Sequence, residues 1–278
     1  MSFAAEYIAQ LESFAAHGAL PRIRALHLPP ARPSEDNKGE FCALELDDGS
    51  LGLSYVLLDD TLAQLRQGAD SFGLAGADAL ELARRYAGND GLWKTIGFAA
   101  ANALTRCLFD RAGFRPDNSS DSIGQMDPRP DEHIGMIGLF MPLLGQIIKS
   151  GARLTVVELN AALAGARDGY RVTLDAGQLA DCSKVVATST LLLNDTLDRM
   201  IGCCRGARWF AMVGPSAGCL PDALFARGVT LLGGSWVNDR EGFLAALRKG
   251  ESRSGFASKF ALTPGSYPGL EALLARLD

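Results

Sequence analysis

Residues 133–159, HIGMIGLFMPLLGQIIKSGARLTVVEL, constrain the fold of this chain more than any other stretch. An apolar run at 134–137 ends at Gly138, and apolar residues then recur at helical spacing after Pro142. A second apolar run follows Gly151. A proline in the first turn and a glycine after the last are typical of a helix, so the pattern predicts strand, helix, strand. Such a unit joins parallel strands by a right-handed crossover and places a ligand site at their carboxyl ends.

The rest of the carboxyl-terminal half repeats this alternation. Short apolar runs at 184–187, 209–213 and 229–232 are separated by helical patterns, one of them predicted at 194–203. Strands alternating with helices are typical of an α/β fold with a doubly wound, mainly parallel sheet. We therefore predict a Rossmann-like domain at residues 133–278.

The amino-terminal half has a different order of elements. Two strand-like runs at 41–46 and 51–57 flank Asp48-Gly49, a hairpin turn signal, and helical patterns follow at 74–86 and 92–111. Strands followed by helices predict a smaller α+β domain at residues 1–115. A segment rich in Pro, Ser, Asp and Gly supports a linker at 116–132, and another polar, proline-rich loop is predicted at 29–40.

Charge and hydropathy exclude several functions. The 278 residues carry a formal net charge of -5 and no basic cluster, which argues against nucleic acid as a partner. No apolar run reaches the ~20 residues that a membrane helix needs, and the amino terminus lacks the pattern of a secretion signal. Six cysteines include no CxxC pair. We expect a cytoplasmic protein with no membrane partner, whose cysteines are buried small hydrophobes.

Four predicted strands end at the same rim, and their last residues are the first candidates for a binding site. Gly138 and Phe140 follow the first strand, where the bulky residues after Gly138 argue against the glycine-rich fingerprint of a dinucleotide site. Glu158 ends the second strand, where an acid accepts hydrogen bonds from ribose hydroxyls. For Glu158, a solvated carboxylate at a strand end is an equally good interpretation. For Phe140, packing of its ring within the sheet is an equally good interpretation.

The next two strands end in hydroxyl-bearing turns. These turns offer side-chain hydroxyls and backbone N–H groups that are suited to a carboxylate or phosphate, although ordinary turn capping explains them as well. Their residues are Thr188, Ser189, Thr190, Gly214, Pro215 and Ser216.

Three polar residues near these turns complete the candidates. Asn194 and Asp198 are one helical turn apart and are expected to point to the same side, unless Asp198 only balances Arg199 or Arg205. Asn102 lies on a helix face of small residues, where a buried amide contacts either a neighbouring loop or a ligand at the domain junction. None of the three histidines has a second His or a Cys at ligand spacing, so a metal site would need residues from distant positions.

Four stretches carry a family resemblance: IGFAAANAL at 96–104, residues 134–159, VVATSTLLLNDTLD at 185–198 and VGPSAGCLPDALFARGVTLLGG at 213–234. Together they resemble the DUF364 family, described as "putative heavy-metal chelation", with its DUF4213 amino-terminal part. The resemblance implies an enolase N-terminal-like domain, a Rossmann-like domain, a shared cleft between them and a homodimer. By matching, it places all twelve candidate residues named above at the cleft.

Two functions from different classes follow, and the residues do not choose between them. The first is a protein that binds a small anionic ligand or a metal complex in the cleft, motivated by a hydroxyl-rich rim without an evident nucleophile. The second is an enzyme that uses S-adenosylmethionine or another adenosine-bearing cofactor, motivated by Glu158. A divalent metal ion and S-adenosylmethionine are therefore the two cofactors to consider, and a scaffold acting through its dimer surface is a third interpretation.

Overall fold

The computed structural model of this protein describes residues 1–31, 40–68, 71–119 and 126–277, so the predicted loop at 29–40 and linker at 116–132 lie partly outside it. The helices are α1 (Phe3–Ala15), α2 (Thr61–Gly68), α3 (Ala79–Arg84), α4 (Gly91–Arg111), α5 (Met141–Lys149), α6 (Leu197–Cys203), α7 (Asp222–Phe225), α8 (Arg240–Lys249) and α9 (Leu270–Leu274). The strands are β1 (Ile23–His27), β2 (Phe41–Leu46), β3 (Leu51–Tyr55), β4 (His133–Ile137), β5 (Arg153–Val157), β6 (Gly165–Arg167), β7 (Tyr170–Thr173), β8 (Lys184–Thr188), β9 (Trp209–Val213), β10 (Leu231–Val237) and β11 (Ala257–Leu262). Within the described ranges, no helix has the length and apolar character required to cross a membrane.

The amino-terminal part is a three-stranded antiparallel sheet of order β1-β2-β3, with helices packed against it. The predicted hairpin turn joins β2 to β3, where the N–H of Ser50 donates to Asp48 Oδ1 at 2.9 Å. Helix α4 packs closely on β3 at Gly52. A Cβ atom at Gly52 would lie 2.0 Å from the carbonyl oxygen of Ala99, so the small residues of α4 and this glycine permit the approach.

The carboxyl-terminal part is an eight-stranded sheet of order β11-β10-β9-β8-β4-β5-β7-β6. The six strands from β10 to β7 are parallel, and β11 and β6 pair antiparallel at the edges. In chain order the parallel strands follow the 3-2-1-4-5-6 arrangement of a doubly wound sheet, whose order reverses between β4 and β8. The predicted division into a small α+β part and a mainly parallel Rossmann-like sheet is confirmed.

Several predicted elements differ in detail. The helix predicted at 74–86 is shorter because Asp78 caps α3 and a 3-10 turn ends it. The helix predicted at 194–203 begins only at Leu197, since the Asn194 side chain caps the N–H of Thr196 and Asp195 adopts a left-handed φ of 57°. The sequence pattern also missed β6 and β11, and short 3-10 turns follow β5 and β7.

Part of the predicted linker extends the large sheet. Asn118 forms an isolated antiparallel bridge with Phe260, and the N–H of Ser119 donates to the carbonyl of Lys259 at 2.9 Å. This segment therefore covers the outer edge of β11. The domain limits themselves stay a prediction.

Candidate functional site

Helix α4 of the amino-terminal part crosses the carboxyl ends of three strands in the large sheet. Near its start, Lys94 Nζ lies 2.5 Å from Asp195 in the loop after β8. At its middle, Asn102 Nδ2 donates to the carbonyl of Ser216 after β9 at 3.0 Å. Towards its end, an Arg106 guanidinium N–H donates to the carbonyl of Val237, the last residue of β10, at 3.1 Å. The amino-terminal part thus covers the ends of β8, β9 and β10.

Asn102 connects the two parts of the chain at this junction, and each of its side-chain hydrogen-bonding groups has a partner. Asn102 is 2% exposed, and its side-chain nitrogen donates to the carbonyl of Leu53 at 2.8 Å and to the carbonyl of Ser216. Its oxygen accepts from the hydroxyl of Tyr7 at 3.0 Å. Because a buried amide needs such partners, these contacts give Asn102 a structural role at the junction.

The junction beside Asn102 is packed. A cavity of about 30 Å³ lies there, bordered by residues that include Pro215 and Trp236. A volume of this size holds about one or two water molecules. A ligand larger than water therefore has no room in this cavity, whose lining does not include Ser216.

The open part of the rim begins at the turn after β4. Gly138 has a φ of 84°, and a Cβ atom there would lie 3.0 Å from Cγ2 of Thr188. The turn after β4 therefore packs directly on the end of β8, at the point where the strand order reverses. Phe140 follows as the half-buried residue before α5, and it packs on the apolar core of this half of the sheet.

Glu158 uses its carboxylate to hold this turn. One oxygen accepts the backbone N–H of Leu139 at 2.5 Å, and the other accepts the N–H of Leu159 at 3.1 Å. Tyr55, the last residue of β3, reaches the same place from the amino-terminal part. Burial, and then the negative charge of Glu158, raise the pKa of the Tyr55 hydroxyl above its ordinary value. Residues from both parts of the chain therefore meet at the end of β5.

The threonines after β8 bond to each other. Thr188 caps a 3-10 turn by accepting the N–H of Thr190 at 3.3 Å, and their two hydroxyl oxygens are 2.5 Å apart. Asn194 lies further along the same loop, where its side-chain oxygen accepts the hydroxyl of Thr196 at 2.6 Å. These hydrogen bonds are those of ordinary turn capping, which the sequence analysis gives as the alternative to a binding site for a carboxylate or phosphate.

Ser189 and Ser216 are different from their neighbours. Ser189 is 4% exposed and Ser216 is 2% exposed, yet neither hydroxyl has a hydrogen-bonding partner within the described ranges. Neither oxygen is fully enclosed either, so the small remaining exposure includes the hydroxyl. A Cβ atom at Gly214 would lie 2.2 Å from Ser189 Oγ, which places that hydroxyl directly against the turn that carries Ser216.

Asp198 lies apart from the rim. Its carboxylate accepts from Arg227 Nε at 3.0 Å, and the same guanidinium binds Glu6 of α1 at 2.7 Å. The sequence prediction that Asn194 and Asp198 share a helix face is wrong, because Asn194 precedes the helix. The balancing charge for Asp198 is Arg227 and neither of the two arginines proposed from the sequence.

Direct coordination of a heavy-metal ion does not fit the side chains that the structure describes. Across residues 1–31, 40–68, 71–119 and 126–277, no three His, Cys, Asp or Glu side chains are grouped to hold an ion. Thiols bind metals as thiolates, but burial raises the pKa of Cys182 to about 11 and that of Cys42, Cys204 and Cys219 to about 12. Burial also raises the pKa of Cys107.

Sequence inspection missed two features of this rim. Lys94 is 6% exposed and is paired to Asp195, and its signal was a lysine within a helix of small and apolar residues. Tyr55 gave no comparable signal, because only the packing of β3 against the large sheet brings it to Glu158.

Comparison with protein families gives two matches. The model of the DUF364 family, described as "Putative heavy-metal chelation", matches residues 121–264. The model of the DUF4213 family, with the same description, matches residues 39–105. An uncharacterised protein of Methanocaldococcus jannaschii is 29% identical over 178 residues, which are 62% of this chain and 63% of that protein. This chain therefore aligns with less than two thirds of that relative.

Two solved structures share the fold along nearly the whole chain. A DUF364 protein of unknown function from Pyrococcus horikoshii has a TM-score of 0.63 and 18% identity, covering 94% of this chain and 97% of that one. Another, from Desulfitobacterium hafniense, has a TM-score of 0.66 and 17% identity, covering 93% of this chain and 97% of that one. At such identities the similarity establishes the fold alone.

Proposed function

This chain belongs to the DUF364 family, and from that premise we propose that it binds a small anionic metal complex at the open rim of the large sheet. The metal is cargo held by its own small-molecule chelator, whose outer carboxylate oxygens contact the protein. The proposal keeps the family description, "Putative heavy-metal chelation", and agrees with side chains that offer hydroxyls rather than a cluster of metal ligands.

One observation carries the proposal. Ser189 and Ser216 are almost completely buried, but their hydroxyls have no partner within the described part of the chain. Each hydroxyl oxygen keeps some exposure, so it is free to donate a hydrogen bond to an oxyanion that reaches the rim. The Ser189 hydroxyl lies against Gly214, in the turn that carries Ser216. Both serines follow strands at the carboxyl edge of the sheet, where ligands of this fold class bind.

The test is titration calorimetry with the dianionic bis complex of Ni²⁺ and dipicolinate, in which the chelator occupies the metal fully. We expect saturable binding that weakens roughly tenfold in Ser189→Ala and in Ser216→Ala, because each loses a hydrogen bond to a charged group. Ser54→Ala is the matched control, since Ser54 is also buried with an unpartnered hydroxyl but lies in β3. Its affinity should equal that of the wild type.

Two results would contradict the proposal. Binding of nickel chloride as tight as that of the chelate would indicate direct coordination of the ion. Binding of the chelate by the two serine variants as tight as by the wild type would place the site away from these hydroxyls.

A second candidate is an enzyme with an adenosine-bearing cofactor such as S-adenosylmethionine. It is favoured by the strand order and by Glu158 at the end of β5, the position where such folds bind a ribose. Both carboxylate oxygens already accept backbone N–H groups, but each has a further lone pair for a ribose hydroxyl. Thermal unfolding with S-adenosylmethionine tests this candidate: stabilisation of the wild type but not of Glu158→Gln supports it, and no shift in either excludes it.

Assembly and location are proposals as well. We propose a homodimer on the basis of the family resemblance, and sedimentation equilibrium at micromolar concentration tests it. A cytoplasmic location agrees with six cysteines that are all free thiols. Fractionation of cells that produce the protein tests the location.

A further inference from the structure

Lys94 places a positive charge beside the strand ends, and the proposed contact with an anion does not yet use it. The twelve residues proposed for the site from the sequence include two acids, Glu158 and Asp198, and no lysine or arginine. Hydroxyl groups alone donate hydrogen bonds to a dianion, but charge complementarity favours a cation beside it. Lys94 lies near the start of α4, and its Nζ atom contacts Asp195 in the loop after β8.

Lys94 and its partner differ strongly in burial. The lysine side chain is 8% exposed, whereas the side chain of Asp195 is 77% exposed. Both carboxylate oxygens of Asp195 lie 2.5 Å from Nζ, which has no other hydrogen-bonding partner in the described part of the chain. A buried ammonium requires a counter-charge. Here that counter-charge is a carboxylate that the solvent, and any dissolved anion, can reach.

The loop that carries Asp195 is held in place by contacts that do not involve its carboxylate. The hydroxyl of Tyr86 donates to the carbonyl of Leu192 at 2.5 Å. The side-chain oxygen of Asn194 accepts the N–H of Thr196 at 3.3 Å and the hydroxyl of the same residue at 2.6 Å. Rotation of one exposed side chain, that of Asp195, therefore uncovers the ammonium without unfolding the loop.

The lysine lies on the same two elements as the proposed site. On α4, Lys94 is eight residues from Asn102, which corresponds to about 12 Å along the helix axis, and Asn102 contacts the carbonyl of Ser216. On the loop after β8, Asp195 follows Ser189 by six residues. A bis chelate has carboxylates on both of its chelators, so an outer carboxylate at Lys94 is compatible with this separation.

We infer that Lys94 binds an outer carboxylate of the ligand, and that Asp195 is a built-in substitute that neutralises the ammonium until the ligand displaces it. This inference rests on the proposed function and specifies how its ligand is recognised. Displacement exchanges one carboxylate for another at Nζ, so the buried charge stays paired in both states. The proton stays on the lysine throughout, and no covalent bond changes.

Removal of the substitute tests the inference. Titration calorimetry with the nickel dipicolinate complex compares the wild type with Asp195→Asn, because asparagine also tolerates the left-handed φ of 57° at this position. We expect the variant to bind roughly tenfold more tightly, since the ligand no longer competes with a carboxylate for Nζ. Asp198→Asn is the matched control: it removes the same charge nearby, from an exposed carboxylate that is paired with Arg227 instead. Its affinity should stay within about twofold of the wild type.

Removal of the ammonium should have the opposite effect. Lys94→Met keeps a side chain of similar length, and the exposed Asp195 stays solvated, so we expect the variant to fold. It should bind the complex roughly tenfold more weakly than the wild type, from the loss of a charge-assisted hydrogen bond. The double variant of Lys94→Met with Asp195→Asn should bind no more tightly than Lys94→Met alone, because the gain requires the ammonium.

The outcomes separate this inference from the proposed function. An ion pair with only a structural role would lower the melting temperature of Asp195→Asn and leave its affinity at the value of Asp198→Asn. That result, or unchanged binding by Lys94→Met, would overturn the inference and leave the proposed function standing. Binding of the complex by none of the proteins, wild type included, would overturn the proposed function itself. If Asp195→Asn is too unstable to titrate, the result for Lys94→Met decides the inference alone.

Discussion

The two ends of the parallel sheet use their polar side chains in opposite ways. At the amino end, buried Glu132 accepts from Lys184 at 2.9 Å and also pairs with Arg208. At the carboxyl end, Ser189 and Ser216 are equally buried but have no partner within the described residues. Removing one partner of a buried ion pair is strongly destabilising, whereas a hydroxyl without a protein partner is free to bind a ligand. We therefore expect substitutions of these polar residues to change stability at the amino end and ligand binding at the carboxyl end.

Replacing Glu132 at the amino end should have the largest effect. Glu132→Ala leaves the ammonium of Lys184 buried without its counter-charge, and we expect the free energy of unfolding to fall by about 3 kcal/mol. Urea denaturation measures this change, and Asp131→Ala, at the exposed neighbouring position, is the control. A loss below about 1 kcal/mol would contradict the stabilising role of the polar residues at the amino end.

Gly214→Ala tests the contact between the two hydroxyl-bearing turns. A φ of 152° is unfavourable for alanine, and the new Cβ atom would lie 2.2 Å from Ser189 Oγ. We expect the free energy of unfolding to fall by about 2 kcal/mol. The double variant with Ser189→Ala should recover part of this loss. Gly202→Ala, in a helix with nothing within 4 Å of the new Cβ, should be neutral or slightly stabilising.

The pH dependence of stability should come partly from His133 at the amino end. Burial and the neighbouring Arg153 lower the pKa of His133 below its model-peptide value, against a smaller opposing effect of Asp181. A group whose folded pKa is lowered contributes stability above its unfolded pKa, about 6.5, and loses it as the pH falls. Wild-type stability should therefore fall between pH 7.5 and pH 5.5 by more than that of His133→Gln, as measured by urea denaturation. Equal pH dependence of both proteins would contradict this assignment.

Ser189→Ala should have the smallest effect on stability, although we expect it to have a large effect on binding. No hydrogen bond within the described residues is lost, so the free energy of unfolding should change by less than about 0.5 kcal/mol. Thr155→Val is the contrast at the amino end, because the Thr155 hydroxyl lies 2.8 Å from Nε2 of His133. That variant should lose about 1 kcal/mol. If the serine variant lost as much, the hydroxyl would have a structural partner after all.

Much of the fold was predictable from local pattern. The strand, helix, strand unit at residues 133–159 implies parallel pairing of β4 with β5, and the Asp48-Gly49 turn implies the hairpin of β2 and β3. β11 was missed because its residues are only partly buried at an edge. The left-handed φ of Asp195 delays the start of α6 to Leu197, and helical spacing in the sequence does not indicate this.

The site was less predictable, because side-chain roles depend on tertiary contacts. Strand ends indicated where Gly138, Glu158 and the two serines would lie, since parallel strands share one carboxyl edge. The sequence did not show that Glu158 would bind the turn after β4 or that Asn102 would use all of its hydrogen-bonding groups. The Asn102 contacts arise from the crossing of α4 over the strand ends, and the Glu158 contact arises from the pairing of β4 with β5.

The most direct test locates the metal in a crystal of the wild-type protein soaked with the dipicolinate complex of Ni²⁺. We expect an anomalous difference peak for nickel beside the ends of β4 and β8, with a chelator carboxylate within hydrogen-bonding distance of the hydroxyls of Ser189 and Ser216. A nickel peak bound directly to protein side chains, or one at the amino end of the sheet, would contradict it.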